Sequence, residues 1–100
     1  MLVLPIKKKW FDMILSGKKL EEYRDIKPYY TTRFKNIGLL TEDGHITFNQ
    51  VEVMFRNGYS CNSPSFIAVC TLRIMRGKEK WGVKPGVKYY VLKIIKIKEN

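Results

Sequence analysis

The sequence has little of what builds metal and redox sites. It holds two cysteines and one histidine in 100 residues. Cys61 and Cys70 lack the spacing of a redox pair, and with His45 they offer too few soft ligands for structural zinc. No metal and no cofactor are therefore expected. Two cysteines make no disulfide framework, so nothing points to an oxidising compartment. Cys70 sits in an apolar run and reads as core, whereas Cys61 sits among polar residues and reads as a free thiol in a loop. Long hydrophobic stretches are also missing, and none approaches the roughly 20 apolar residues of a membrane span. The opening Met1–Ile6 is too short for a signal-peptide core, and Lys7, Lys8 and Lys9 follow it rather than precede it. A cytoplasmic domain with no membrane partner is the expectation. Ser60, Ser63 and Ser65 lack a histidine–acid context, which argues against a serine nucleophile. There is no repeat, linker or low-complexity segment.

Acidic residues are scarce. Nine Asp and Glu stand against 19 Lys and Arg, a net charge of +10. The imbalance is uneven: residues 1–36 carry +5, residues 37–67 carry −2, and residues 68–100 carry +7. If the two ends meet in space they make one positive face, which attracts phosphates and speeds their encounter. The plainer alternative is a lysine-rich solubilising surface. A hydrophobic content of 45% suffices for one core, so residues 1–100 read as one domain.

Leu2 to Ile6 suits a short strand. Lys8 to Ser16 suits a helix, with Trp10, Phe11, Ile14 and Leu15 on one face and Gly17 as its stop. Lys19 to Ile26 reads as a strand, alternating Leu20, Glu22 and Arg24 against Glu21, Tyr23 and Asp25. Pro28 opens a second helix to about Lys35, with Tyr30 and Phe34 on its apolar face. Three strands follow, at about Ile46 to Arg56, Ser65 to Arg76 and Lys88 to Lys98. Turn signals stand at Asp43-Gly44, Asn57-Gly58 and Lys84-Pro85-Gly86. Two short helices near the start and then mostly β structure describe an α+β domain with a small, closed or nearly closed sheet.

The most informative stretch is Gly17-Lys18-Lys19-Leu20-Glu21-Glu22-Tyr23-Arg24, a G-x-K-x-x-E-x-R pattern just past a helix end. Glu22 and Arg24 are two apart on a strand and share a face. The carboxylate orients the guanidinium, which keeps N–H donors for a phosphate, carboxylate or base edge. Lys19 at the turn can swing over the same spot. The bland reading of the three is a surface salt bridge beside a solvated lysine. Lys7 at a helix start is unfavourable for the helix dipole, which favours a functional role. Tyr29, Tyr30 and Arg33 offer an aromatic-basic strip for stacking a base, though Tyr30 also suits the core. Asn57 and Tyr59 make either a simple turn or a second wall. Trp10 and Trp81 read as core or lid.

With Pro5-Ile6-Lys7 and the helix Trp10–Ser16 before it, this motif resembles the ASCH domain, most closely over residues 4–33. Phe55-Arg56-Asn57-Gly58-Tyr59, Trp81-Gly82 and Tyr90-Val91-Leu92 resemble short bacterial and phage members. The resemblance implies a PUA-like β-barrel with a cleft beside the helix, lined by Lys7, Lys19, Glu22 and Arg24. It implies RNA or a nucleotide-like small molecule, such as a modified nucleoside, as the partner. One bacterial branch is an acetylcytidine amidohydrolase. Its lysine matches Lys19, its threonine nucleophile falls where this chain has Glu22, and its later-strand glutamate has Glu52 as the nearest counterpart. Lacking the threonine, the chain is expected to bind rather than to cleave. As an enzyme it would use Glu22 as a general base toward water, with Lys19 or Arg24 stabilising an oxyanion. A third alternative is an accessory domain whose basic face meets an acidic protein.

Overall fold

The computed structural model describes residues 1–98. Glu99 and Asn100, the end of the expected 1–100 domain, lie outside the described residues. The elements are β1 (Leu2–Pro5), α1 (Lys8–Leu15), β2 (Glu21–Arg24), α2 (Pro28–Asn36), β3 (Val51–Arg56), β4 (Ser65–Arg76), a 3-10 turn (Glu79–Trp81) and β5 (Lys88–Lys98). The five strands form one sheet in the order β1-β3-β4-β5-β2, curled into a half-barrel. Only the β1–β3 pairing is parallel. The first two strands, separated by a single helix, thus end up on opposite edges of the sheet. Arg24 on β2 reaches across this seam: its Nη2 donates to the Pro5 carbonyl of β1 at 2.8 Å.

The core follows from the two periodicities of the sequence. Alternate residues Val53 and Phe55, then Phe66, Ala68, Cys70 and Leu72, then Tyr90 and Leu92 pack with Phe11 and Ile14 of α1 and Phe34 of α2. Registry keeps these rows in phase, with Phe55 opposite Phe66 and Leu72 opposite Leu92. The end of β5, Ile94-Ile95-Lys96-Ile97, breaks strict alternation. A register shift at Val69/Cys70 absorbs the extra residue. Ile94 and Ile97 then both pack on the core while Ile95 stays exposed.

Helix α2 starts as its proline dictates. Lys27 is held extended, at φ −132° and ψ 152°, and Pro28 occupies the first turn. Two expected strands are shorter than the sequence pattern suggested. The Lys19 N–H still donates to Met13 of α1 at 3.0 Å and Leu20 only accepts from Ile94 through its carbonyl, so β2 begins at Glu21. Ile46 makes only an isolated bridge to Leu40. Phe48 then takes a left-handed backbone at φ 64°, which no strand can propagate. The Asn57-Gly58 signal lies at the start of a wider loop, closed by the Asn57 N–H donating to the Pro64 carbonyl at 2.8 Å. No helix among the described residues is long and apolar enough to cross a membrane. No group of three or more His, Cys, Asp or Glu able to hold a metal occurs among them either.

Candidate ligand-binding site

The site begins with the end of α1. Gly17 takes φ 83°, a conformation that costs other residues about 1–2 kcal/mol. Its N–H donates to the Ile14 carbonyl at 3.0 Å and the Lys18 N–H to the Met13 carbonyl at 2.9 Å. These two bonds are a Schellman motif. The reversal drives Lys19 inward, where its side chain has no exposed surface. The ammonium lies 5.2 Å from the ring centre of Trp10 and 5.1 Å from that of Tyr23. It donates to Glu22 Oε1, while Arg24 Nη1 donates to Glu22 Oε2. Arg24 Nη1 also donates to the Tyr23 carbonyl at 2.8 Å. Glu22 thus bridges two cations, and the strand period that puts positions 22 and 24 side by side is the reason. Burial pulls the Lys19 ammonium below its usual lysine range, and the neighbouring Glu22 charge opposes that shift.

The other face of β2 carries a second network. The Tyr23 hydroxyl donates to Glu21 Oε1 at 2.7 Å, and Lys93 Nζ donates to Glu21 Oε2 at 3.1 Å. Burial alone would raise the Glu21 carboxyl, but these two bonds and the Lys93 charge outweigh it and hold it below the carboxylate norm. Burial, reinforced by the bond to Glu21, pushes the Tyr23 phenol upward. The Lys78 N–H donates to the Tyr23 oxygen at 3.1 Å, anchoring the loop between β4 and β5. That loop fits tightly. A Cβ on Gly77 would lie 2.6 Å from the Tyr23 ring, and one on Gly82 would lie 2.8 Å from Trp10.

Between this loop, α1 and the seam lies a cleft of about 380 Å³. Lys7, Glu22, Arg24 and Asp25 supply its charged lining, and Trp10, Tyr23, Tyr30, Tyr59, Trp81 and Tyr89 supply aromatic lining. Lys9 stands 4.6 Å above the Trp10 indole and Lys80 4.8 Å above that of Trp81. An adjoining cavity of about 430 Å³ shares Pro5, Ile6, Lys7 and Tyr59 and adds Asn57 and Gly58. Flat rings edged by ammonium groups suit a planar ligand that carries negative charge.

Of the residues singled out in the sequence, Lys7, Glu22, Arg24 and Tyr59 meet in the cleft. Asn57 is next door, its Nδ2 donating to the Ile6 carbonyl at 3.2 Å. Lys19 corrects its expectation. It does not swing over the site but lies beneath it, locked to Glu22, because the Schellman turn aims it into the protein. Tyr29 and Arg33 line neither cavity and instead stack on each other at 3.4 Å. Glu52 lines neither cavity and accepts from Lys98 Nζ at 2.6 Å. Trp10 and Trp81, expected as core or lid, and Tyr30, expected in a stacking strip or in the core, each line the cleft. Helical spacing identifies a buried face but does not tell core from pocket wall. Comparison with protein-family models, with curated proteins and with solved structures gave no match.

Proposed function

We propose that the cleft binds RNA or a nucleotide or modified-nucleoside ligand, and that the half-barrel is a PUA-like fold of the ASCH type. One observation carries the reading: six aromatic residues and the cations Lys7 and Arg24 line a single cleft. Stacking on an aromatic ring is worth about 1–3 kcal/mol per base. Arg24 donates to Glu22, Tyr23 and Pro5. Its Nε–H and one Nη2–H are left for a phosphate or base edge. Lys7 is exposed at the mouth, where it adds long-range attraction for anions.

Binding without turnover is the favoured form. Both Glu22 oxygens already accept from cations, which stabilises the charged carboxylate and makes it a weaker base toward a substrate water. Glu52, the other candidate, is engaged with Lys98.

The test titrates wild type, Lys7→Ala and Trp81→Ala with single-stranded RNA and a panel of modified nucleosides at two salt concentrations, following each ligand for conversion. Saturable binding to one class, weakened several-fold in both variants, supports the reading. Conversion of the ligand would establish an enzyme. Weak binding that salt abolishes, equal in all three proteins, would remove the cleft from consideration.

A further inference from the structure

Aromatic surface continues past the mouth of the cleft. Tyr30, which lines it, meets Tyr29 edge to face with ring centres 5.0 Å apart. Tyr29 is 58% exposed and carries the Arg33 guanidinium 3.4 Å from its ring centre, a separation that only face-on stacking allows. Arg33 Nη1 donates to the Tyr29 carbonyl at 2.9 Å, which fixes the plane of the group. Among the described residues no carboxylate pairs with Arg33. The result is a partly exposed cationic plate held flat on Tyr29, one aromatic step from the cleft. On the opposite side the adjoining cavity prolongs the groove past Lys7 and Tyr59. This surface exceeds what one nucleoside can cover.

We infer that the ligand is a single-stranded oligonucleotide, with one base in the cleft and its neighbour stacked on the outer face of Arg33. The inference rests on the nucleotide-binding reading above and adds that a strand, not a free nucleoside or mononucleotide, is the ligand. Guanidinium planes and aromatic rings are the surfaces on which unstacked RNA bases settle. A helix i, i+4 contact made only for stability would not require a partly exposed arginine with no carboxylate partner to be held flat.

Binding of adenosine and uridine 5′-monophosphates and of the matching RNA tetranucleotides is measured by calorimetry for wild type, Arg33→Ala and Arg33→Lys. Wild type is expected to hold a tetranucleotide on the order of tenfold more tightly than the monophosphate. Arg33→Ala should erase that difference while leaving monophosphate affinity unchanged. Arg33→Lys should restore little of it, because lysine keeps the charge but not the plane. Equal wild-type affinity for monophosphate and tetranucleotide would overturn the platform and leave the cleft reading standing. Full recovery in Arg33→Lys would do the same, since charge alone would then account for the effect. Binding of neither probe would overturn both readings.

Discussion

Replacing Glu22 by glutamine should be among the most damaging single changes the chain can suffer. Glu22 is the shared counter-charge of Lys19 and Arg24, whose side chains are 0% and 12% exposed. Removing one partner of a buried ion pair costs about 3–5 kcal/mol, because the remaining charge is left in a poorly solvating interior. A domain of this size has a total stability of about 5–15 kcal/mol, so Glu22→Gln should lower the urea midpoint drastically. The cost should also depend on pH. Burial already puts the folded-state pKa of Lys19 below its ordinary 10.5. The unfolded chain therefore holds that proton more tightly, and stability rises as pH climbs from the lowered value toward 10.5. Without Glu22 the folded value falls further, so the window opens at lower pH and the variant should recover part of its deficit between pH 7 and pH 9.5. Exchanging Lys19 for methionine removes the stranded charge and keeps the packing volume. The double variant Lys19→Met with Glu22→Gln should thus be more stable than Glu22→Gln alone. Urea titrations of wild type, Glu22→Gln and the double variant at both pH values supply the measurement. A loss under about 1 kcal/mol, or a double variant no better than the single, would refute the claim that charge burial governs this site.

Three further outcomes follow from the packing. Gly82→Ala should cost about 1–2 kcal/mol from its left-handed backbone and also displace Trp10, whose ring would lie 2.8 Å from the new methyl; thermal melts and indole fluorescence should change together, and an unshifted spectrum would disprove the contact. Phe34→Ala should lose about 3–5 kcal/mol because Phe34 is fully buried against Tyr90, ring centres 5.1 Å apart; a denaturation midpoint close to wild type would contradict its place in the core. The native protein should react rapidly with one equivalent of a thiol reagent, at exposed Cys61, while Cys70, fully buried and with its pKa pushed up to about 12 by burial, should react only on unfolding. Two fast equivalents at neutral pH would show that the core is open.

Much of the fold was legible in the order of residues because its signals are local. Pro28 fixes a helix start, Gly17 a helix stop, and the alternate apolar residues Val51, Val53 and Phe55 mark a strand with one buried face. Local pattern also put Glu22 and Arg24 side by side. It failed where backbone geometry overrode it: the left-handed Phe48 cuts off a strand that Ile46 and Thr47 seemed to extend, and the helix cap takes Lys19 out of β2. The composition by itself determined a basic, cysteine-poor chain with one core and a compact cluster of charge at 19–24. Only the tertiary structure decided which side of that cluster faces outward. Whether Lys19 is a surface ligand or a buried counter-ion depends on Trp10 and Tyr23 closing over it, and whether Trp81 is core or cleft wall depends on where the loop 77–87 lands. The loop meets Tyr23 and Trp10, residues dozens of positions away from it, and no local periodicity encodes those contacts.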